Sequence, residues 1–145
     1  MTEKERKELI GEIGEKHVIE RLGGTLSEDK YDTEKDLTLP NGQKAEVKTQ
    51  ARWKTENSFT VDETYTNNNL RKCLNVEKLF FVEPGKNRTI RIYEALSREY
   101  RIKYPRNIET YLFSVNNMKL IDEVKDEEKW ANLVSLIKTK MEWLS

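Results

Sequence analysis

Cysteine, histidine and proline are scarce in this chain of 145 residues, which holds one, one and three of them. A lone thiol, Cys73, excludes a disulfide within the chain and a cysteine-based zinc site. No apolar run approaches the ~20 residues that span a bilayer. The opening residues, MTEKERKELI, lack the apolar stretch of a secretory signal. These absences describe a soluble protein of a reducing cytoplasm with no membrane partner. Net charge is missing as well, since 26 basic side chains balance 26 acidic ones. Total charge therefore gives no sign of a nucleic-acid partner, although its distribution is uneven. Residues 1–40 are net acidic and residues 41–110 net basic. That fits a phosphate-binding face beside a carboxylate cluster, and it equally fits solvated faces of opposite sign.

What is present suits one domain over residues 1–145, long enough for a single real core. Residues 3–22 read as a helix stopped by Gly23 and Gly24. A hairpin is expected over 35–49, a strand over 58–65 and a short helix over 66–75, with Thr66 or Asn67 as its cap. Two strands, 78–83 and 89–94, flank a Pro-Gly turn. A helical turn is expected at 95–100 and another strand at 110–115. Trp130, Leu133, Val134, Ile137, Met141 and Leu144 recur at helical spacing, which predicts a closing helix over about 126–143. Their stripe can serve as core or as the surface of a homodimer. Strands between an early and a late helix give an α/β class, an α+β arrangement around a mixed sheet.

The stretch DLTLPNGQKAEVKTQ, residues 36–50, carries the most chemistry. A three-residue loop Pro40-Asn41-Gly42 suits a type I turn followed by a left-handed residue, with φ preset at Pro40 and Gly42 in the αL position. Leu39 then pairs with Gln43, Leu37 with Ala45, and Asp36 falls opposite Glu46. Lys48 and Gln50 share the face of Glu46, while Leu37, Leu39, Ala45 and Val47 form a core face. A two-residue Asn-Gly loop would slip the register and set Glu46 opposite Leu37, burying the one or exposing the other. Facing carboxylates on a strand pair cost up to about 1 kcal/mol. A divalent cation reverses that sign, because magnesium takes one or two carboxylates and fills its other positions with water and phosphate. Lys48 then stands ready to stabilise a nucleophilic water or the charge building on a phosphate. The same residues also read as a solvated strand face with a cross-strand ion pair.

In the first helix, Gly11, Glu15, Val18 and Leu22 form one stripe, with Ile19 at its edge. Glu15 thus lies on an apolar face beside a glycine that admits a close neighbour. Burying it requires a cation or donors, unless it only borders the stripe and reaches solvent. Leu9, Ile10 and Ile13 form a second stripe that continues to His17. That side chain is expected partly buried rather than a ligand, and it projects about 160° away from Glu15 around the helix.

GEIGEKHVIERLGG, KDLTL and AEVKTQ, in that order and spacing, resemble the PD-(D/E)xK nuclease superfamily, including small Holliday-junction resolvases and restriction-type endonucleases. The likeness covers residues 11–50. It implies a restriction-endonuclease-like αβββαβ core with a C-terminal helix, and phosphodiester hydrolysis dependent on Mg²⁺ or Mn²⁺. Carried over, Asp36, Glu46 and the Val47 backbone carbonyl would hold the metal. Lys48 would serve the water or the scissile phosphate, and Glu15 would reach in directly or through water. The proline that precedes the family's Asp is Lys35 here, and Asp32 rivals Asp36 as the ligand.

Beyond the hairpin, Gln50, Arg52, Trp53 and Lys54 lead out of the site, and Arg71 and Lys72 lie in the next helix. All six are candidate substrate contacts, with Trp53 offering stacking between two cations. The expected activity is a metal-dependent endonuclease acting on DNA. The alternatives are an RNA endonuclease of the cap-snatching type, which draws a ligand from a helix histidine, and a non-cleaving nucleic-acid-binding protein on the same fold.

Overall fold

Threonine, acid and glycine set the limits of the first helix. In the computed structural model, which describes residues 1–27, 36–52, 57–63, 69–103 and 109–137, helix α1 runs Glu3–Leu22. The Thr2 hydroxyl accepts the Glu5 N–H, and Glu3 and Glu5 oppose the dipole of the first turn. Gly23, at φ 84°, ends the helix with its N–H on the Ile19 carbonyl.

Nine strands follow among the described residues: β1 (Thr25–Leu26), β2 (Leu37–Thr38), β3 (Lys44–Thr49), β4 (Ser58–Glu63), β5 (Lys78–Pro84), β6 (Thr89–Ala95), β7 (Arg101–Lys103), β8 (Glu109–Ser114) and β9 (Met118–Lys125). Helix α2 (Asn69–Asn75) lies between β4 and β5, and α3 (Glu127–Ile137) follows β9. Six strands form one sheet in the order β1-β2-β3-β5-β6-β9, parallel only between β3 and β5. The other three form an antiparallel sheet, β4-β8-β7. The class is α+β around a mixed sheet. Its first sheet follows α1, three antiparallel strands, α2 and a parallel strand, with β4 set aside into the second sheet.

Strand alternation divides the large sheet's side chains between two cores. Ala45, Val47, Phe80, Val82, Ile90 and Ile92 face α1 and α3, where Ile10, Val18 and Leu133 close over them. Leu79, Phe81, Tyr93 and Ala95 face the small sheet and α2, packing on Phe59, Val61, Tyr111, Phe113, Leu70 and Cys73. Phe59 stacks on Phe81 with ring centroids 4.7 Å apart. In α3, Leu133 is fully buried against this sheet, and the Trp130 indole donates to the Gly85 carbonyl at 2.8 Å. Met141 and Leu144 lie outside the described residues. Among the described residues no helix is long and apolar enough to cross a membrane.

Two expectations change at α1. The glycine that admits a close neighbour is Gly14, not Gly11, around which a Cβ would meet nothing. A Cβ on Gly14 would overlap the Thr49 hydroxyl and lie 2.8 Å from the Thr49 Cβ, so α1 is pressed onto β3 there. The buried stripe accordingly runs Ile10, Gly14, His17 and Val18. In an unconstrained helix, alanine is favoured over glycine by about 1 kcal/mol. Overpacking costs about 1–3 kcal/mol, or more when backbone must shift. We expect Gly14→Ala to lose about 2 kcal/mol in urea denaturation and to regain most of it when Thr49→Ala opens the contact. A Gly14→Ala protein as stable as wild type would mean that the helix does not bear on this strand.

His17 is 1% exposed, with Nδ1 2.8 Å from the Lys129 Nζ. Lys129 also binds Glu20 and Asp126, and the group ties α1 to α3. Burial, and then Lys129, pull the imidazole down to about 4.

Residues 95–100 form no helical turn. Ala95 ends β6, and the Arg98 guanidinium takes the carbonyls of Ala95, Val76 and Glu77, holding the segment across the end of α2. Strand β9 was not anticipated. MKLIDEVK carries charge on both faces, as edge strands do, so its hydrophobic alternation is faint.

Candidate active site

The hairpin turn sets the geometry. Leu39 N–H donates to the Gln43 carbonyl, Gly42 N–H to the Leu39 carbonyl, and Gly42 sits at φ 87°. Leu37 pairs with Ala45 and Thr38 with Lys44, the register of a three-residue loop. One residue before β2, Asp36 lies in a bend against residues 45–47 of β3, its carboxyl adjoining that of Glu46. Its N–H donates to the Ala45 carbonyl, and its Oδ2 accepts the Val47 N–H at 3.2 Å.

Glu46 pairs in register with Leu79, and Lys48 with Phe81, so both point toward the small sheet. Glu46 is fully buried, and among the described residues neither carboxylate oxygen has a hydrogen-bond partner. Lys48 Nζ lies 3.3 Å from Oε2, close enough for an ion pair but outside hydrogen-bonding geometry. Burial pushes the Glu46 carboxyl up to about 9, the adjoining Asp36 carboxyl adds to this, and Lys48 opposes it. For Lys48, burial works against the charge, but Glu46, Cys73 and Asp36 outweigh it and its pKa is raised.

Two more charged groups border the pair. Lys72 of α2 places Nζ 3.8 Å from Asp36 Oδ1. Glu15, half-buried on α1, is pushed to about 7, first by burial and then by the field of Asp36, with Lys72 and Lys48 opposing. The Cys73 thiol behind them is raised to about 12 by burial, which leaves it inert as a nucleophile.

Asn69, the first residue of α2, reads in the sequence only as part of an Asn67-Asn68-Asn69 helix start that could offer backbone N–H groups to a phosphate, yet it is the side chain that engages the site. Its Oδ1 accepts from Lys48 Nζ at 2.9 Å, and its Nδ2 donates to the Asp62 carbonyl of β4 at 3.0 Å. Nothing in its local sequence marks it, since its partner lies 21 residues earlier.

The remaining candidates separate. Both polar atoms of the Gln50 amide are spent on the Thr60 backbone, at 2.8 Å each way, so Gln50 ties β3 to the edge of β4. Arg52 binds Glu83 through two nitrogens, at 2.9 and 2.7 Å, and lies 5.0 Å from the Phe59 ring centroid. Both are engaged in joining the sheets. Arg71 is exposed. Trp53, Lys54, Asp32 and Lys35 lie outside the described residues.

Among the described residues, no group of three or more His, Cys, Asp and Glu side chains is gathered closely enough to hold a metal. Glu15 feels the field of Asp36. Two facing carboxylates, one of them buried with unpartnered oxygens, nevertheless match what magnesium takes from a protein. Neither the known protein-family models nor the curated proteins include a match to this chain.

Proposed function

We propose that the protein is a divalent-metal-dependent endonuclease that hydrolyses phosphodiester bonds in DNA. The observation that carries this reading is Glu46, a fully buried carboxylate with two unpartnered oxygens, set against Asp36 and Lys48. Leaving such a group without partners costs a fold several kcal/mol, a cost that a functional role explains. Asp36, Glu46 and the Val47 carbonyl would hold Mg²⁺ or Mn²⁺. When bound, the ion polarises phosphate oxygen and lowers the pKa of water. Lys48 keeps a fixed positive charge beside the carboxylates, where negative charge builds on a phosphate. Lys72, next to Asp36, adds a second cation for a non-bridging oxygen. Glu15, near 7, is poised to exchange a proton close to neutrality. DNA is favoured over cap-snatching RNA chemistry because the helix histidine, His17, is buried against Lys129 between α1 and α3. With no net charge on the chain, affinity for DNA rests on a local face and falls with salt. A reducing cytoplasm fits the free, buried Cys73.

The test is incubation with supercoiled plasmid, a four-way junction and single-stranded RNA, each with Mg²⁺, Mn²⁺ or EDTA, beside folded Asp36→Ala. We expect metal-dependent cleavage of DNA that Asp36→Ala loses. No cleavage of any substrate, together with no heat of Mn²⁺ binding in calorimetry, overturns the reading.

A further inference from the structure

Lysine is a poor choice for a fixed charge unless something fixes it. Its ammonium ends a flexible four-carbon stem, and each rotamer lost costs entropy. Near Lys48 the strongest attractor is Glu46, 3.3 Å away with both oxygens otherwise unpartnered. Left to itself, the ammonium would close onto that carboxylate and occupy the oxygens needed for other work. Among the described residues one hydrogen bond opposes the collapse, from Nζ to Asn69 Oδ1 at 2.9 Å.

That bond is itself oriented. Asn69 Nδ2 donates to the Asp62 carbonyl at 3.0 Å, so the amide cannot flip and its oxygen is the atom that faces Lys48. Asp62 is held in turn: its Oδ1 accepts from the Thr110 hydroxyl at 2.8 Å, and it pairs with Thr110 across β4 and β8. A relay of contacts thus runs from the small sheet through Asp62 and Asn69 to the lysine on the large sheet. It also gives β4, which sits outside the αβββαβ order, a part in the site.

We propose that Asn69 is the positioning residue for Lys48, holding its ammonium off Glu46 and aimed at the substrate phosphate from an anchor in the second sheet. The proposal rests on the nuclease reading. Asn69 touches neither substrate nor reacting atoms and acts only through Lys48. Displacing a charged group by about 1 Å costs roughly 100-fold in rate while leaving substrate binding largely intact.

Two variants and two readouts test this. Asn69→Ala removes the acceptor, whereas Asn69→Asp keeps an oxygen for Lys48 while exchanging the donor to Asp62 for a second, negatively charged oxygen. We expect Asn69→Ala to lower kcat roughly 10- to 100-fold with KM for DNA within about two-fold of wild type, and Asn69→Asp to recover most of that loss. The second readout needs no cleavage. In protein labelled with ¹⁵N-lysine, the Lys48 ammonium signal, assigned by its absence in Lys48→Met, should be sharp in wild type and Asn69→Asp and broadened by solvent exchange in Asn69→Ala. An unchanged ammonium signal in Asn69→Ala overturns the proposal. So does an equal loss of kcat in both variants, which marks a structural role for Asn69. If wild type cleaves nothing, that failure belongs to the nuclease reading, and the ammonium signal alone decides whether Asn69 holds Lys48.

Discussion

Glu46→Gln will make the protein more stable, by about 2–3 kcal/mol at pH 7, and will abolish Mn²⁺ binding. The native carboxyl sits at about 9, against an ordinary value of 4.5, because it is buried and faces Asp36. A carboxyl raised on folding binds its proton more tightly in the native state. Its contribution to stability is therefore fully present below about pH 4.5 and is lost as the pH rises toward 9. At 1.36 kcal/mol per pH unit, the loss at pH 7 is about 3 kcal/mol, because the native carboxyl stays protonated there while the unfolded one ionises. Glutamine keeps the shape and cannot ionise, so its advantage should vanish near pH 4.5 and grow toward pH 8.5. Glu15 is also raised, to about 7, but wild type and variant share it, so the difference between their curves isolates Glu46. Urea denaturation at pH 5, 7 and 8.5 measures this. A gain independent of pH, or none, would mean that Glu46 is not held as a destabilised acid. Mn²⁺ should raise the Tm of wild type and leave Glu46→Gln unmoved, since an ion that binds only the native state stabilises it by mass action.

The hairpin was legible because its determinants are local. Pro40, Asn41 and Gly42 specify the loop, the loop specifies the register, and the register sets Asp36 against Glu46. The helix face was harder to read. Glycine has no side chain to vote in a hydrophobic pattern, so Gly11 and Gly14 look alike until Thr49 is brought against one of them. Segment 95–100 went wrong for a similar reason. Arg98 reads as a surface charge, yet its guanidinium satisfies three carbonyls and decides the local path. Strand β9 escaped because an edge strand needs little apolar alternation once β6 supplies its ladder.

Alternation along β3 reports the face a side chain takes and not what it meets there. Gln50 follows the period that places Glu46 and Lys48, yet Thr60 of the small sheet claims its amide. Arg52 is likewise claimed by Glu83 and the ring of Phe59. Both partners belong to elements whose packing no local pattern encodes. Asn69 is the converse case, a residue with no local signature that a neighbouring element brings to the lysine. The carboxylates and lysine of the site are thus written into one hairpin, while what holds the lysine in place is contributed by the second sheet.

Lys48→Met is expected to lower kcat by about 100- to 1,000-fold, the cost of removing a preorganised positive group from a site where charge develops. The fold should survive, because Glu46 without its ammonium shifts further toward the neutral acid instead of ionising in the core. Mn²⁺ binding should also survive in calorimetry, since methionine leaves Asp36, Glu46 and the Val47 carbonyl in place, whereas Asp36→Ala should lose it. Lys48→Arg is expected not to restore activity. The Lys48 ammonium sits 3.3 Å from Glu46 and 2.9 Å from Asn69, a space suited to a compact point charge. A planar guanidinium would engage both Glu46 oxygens at once and compete with the ion for them. Arginine should therefore weaken Mn²⁺ binding where methionine does not, even though it keeps the charge. Cleavage by Lys48→Met within about three-fold of wild type, against the loss expected above, would remove Lys48 from the chemistry. It would leave Lys72, 3.8 Å from Asp36, as the only lysine known to border the carboxylates among the described residues.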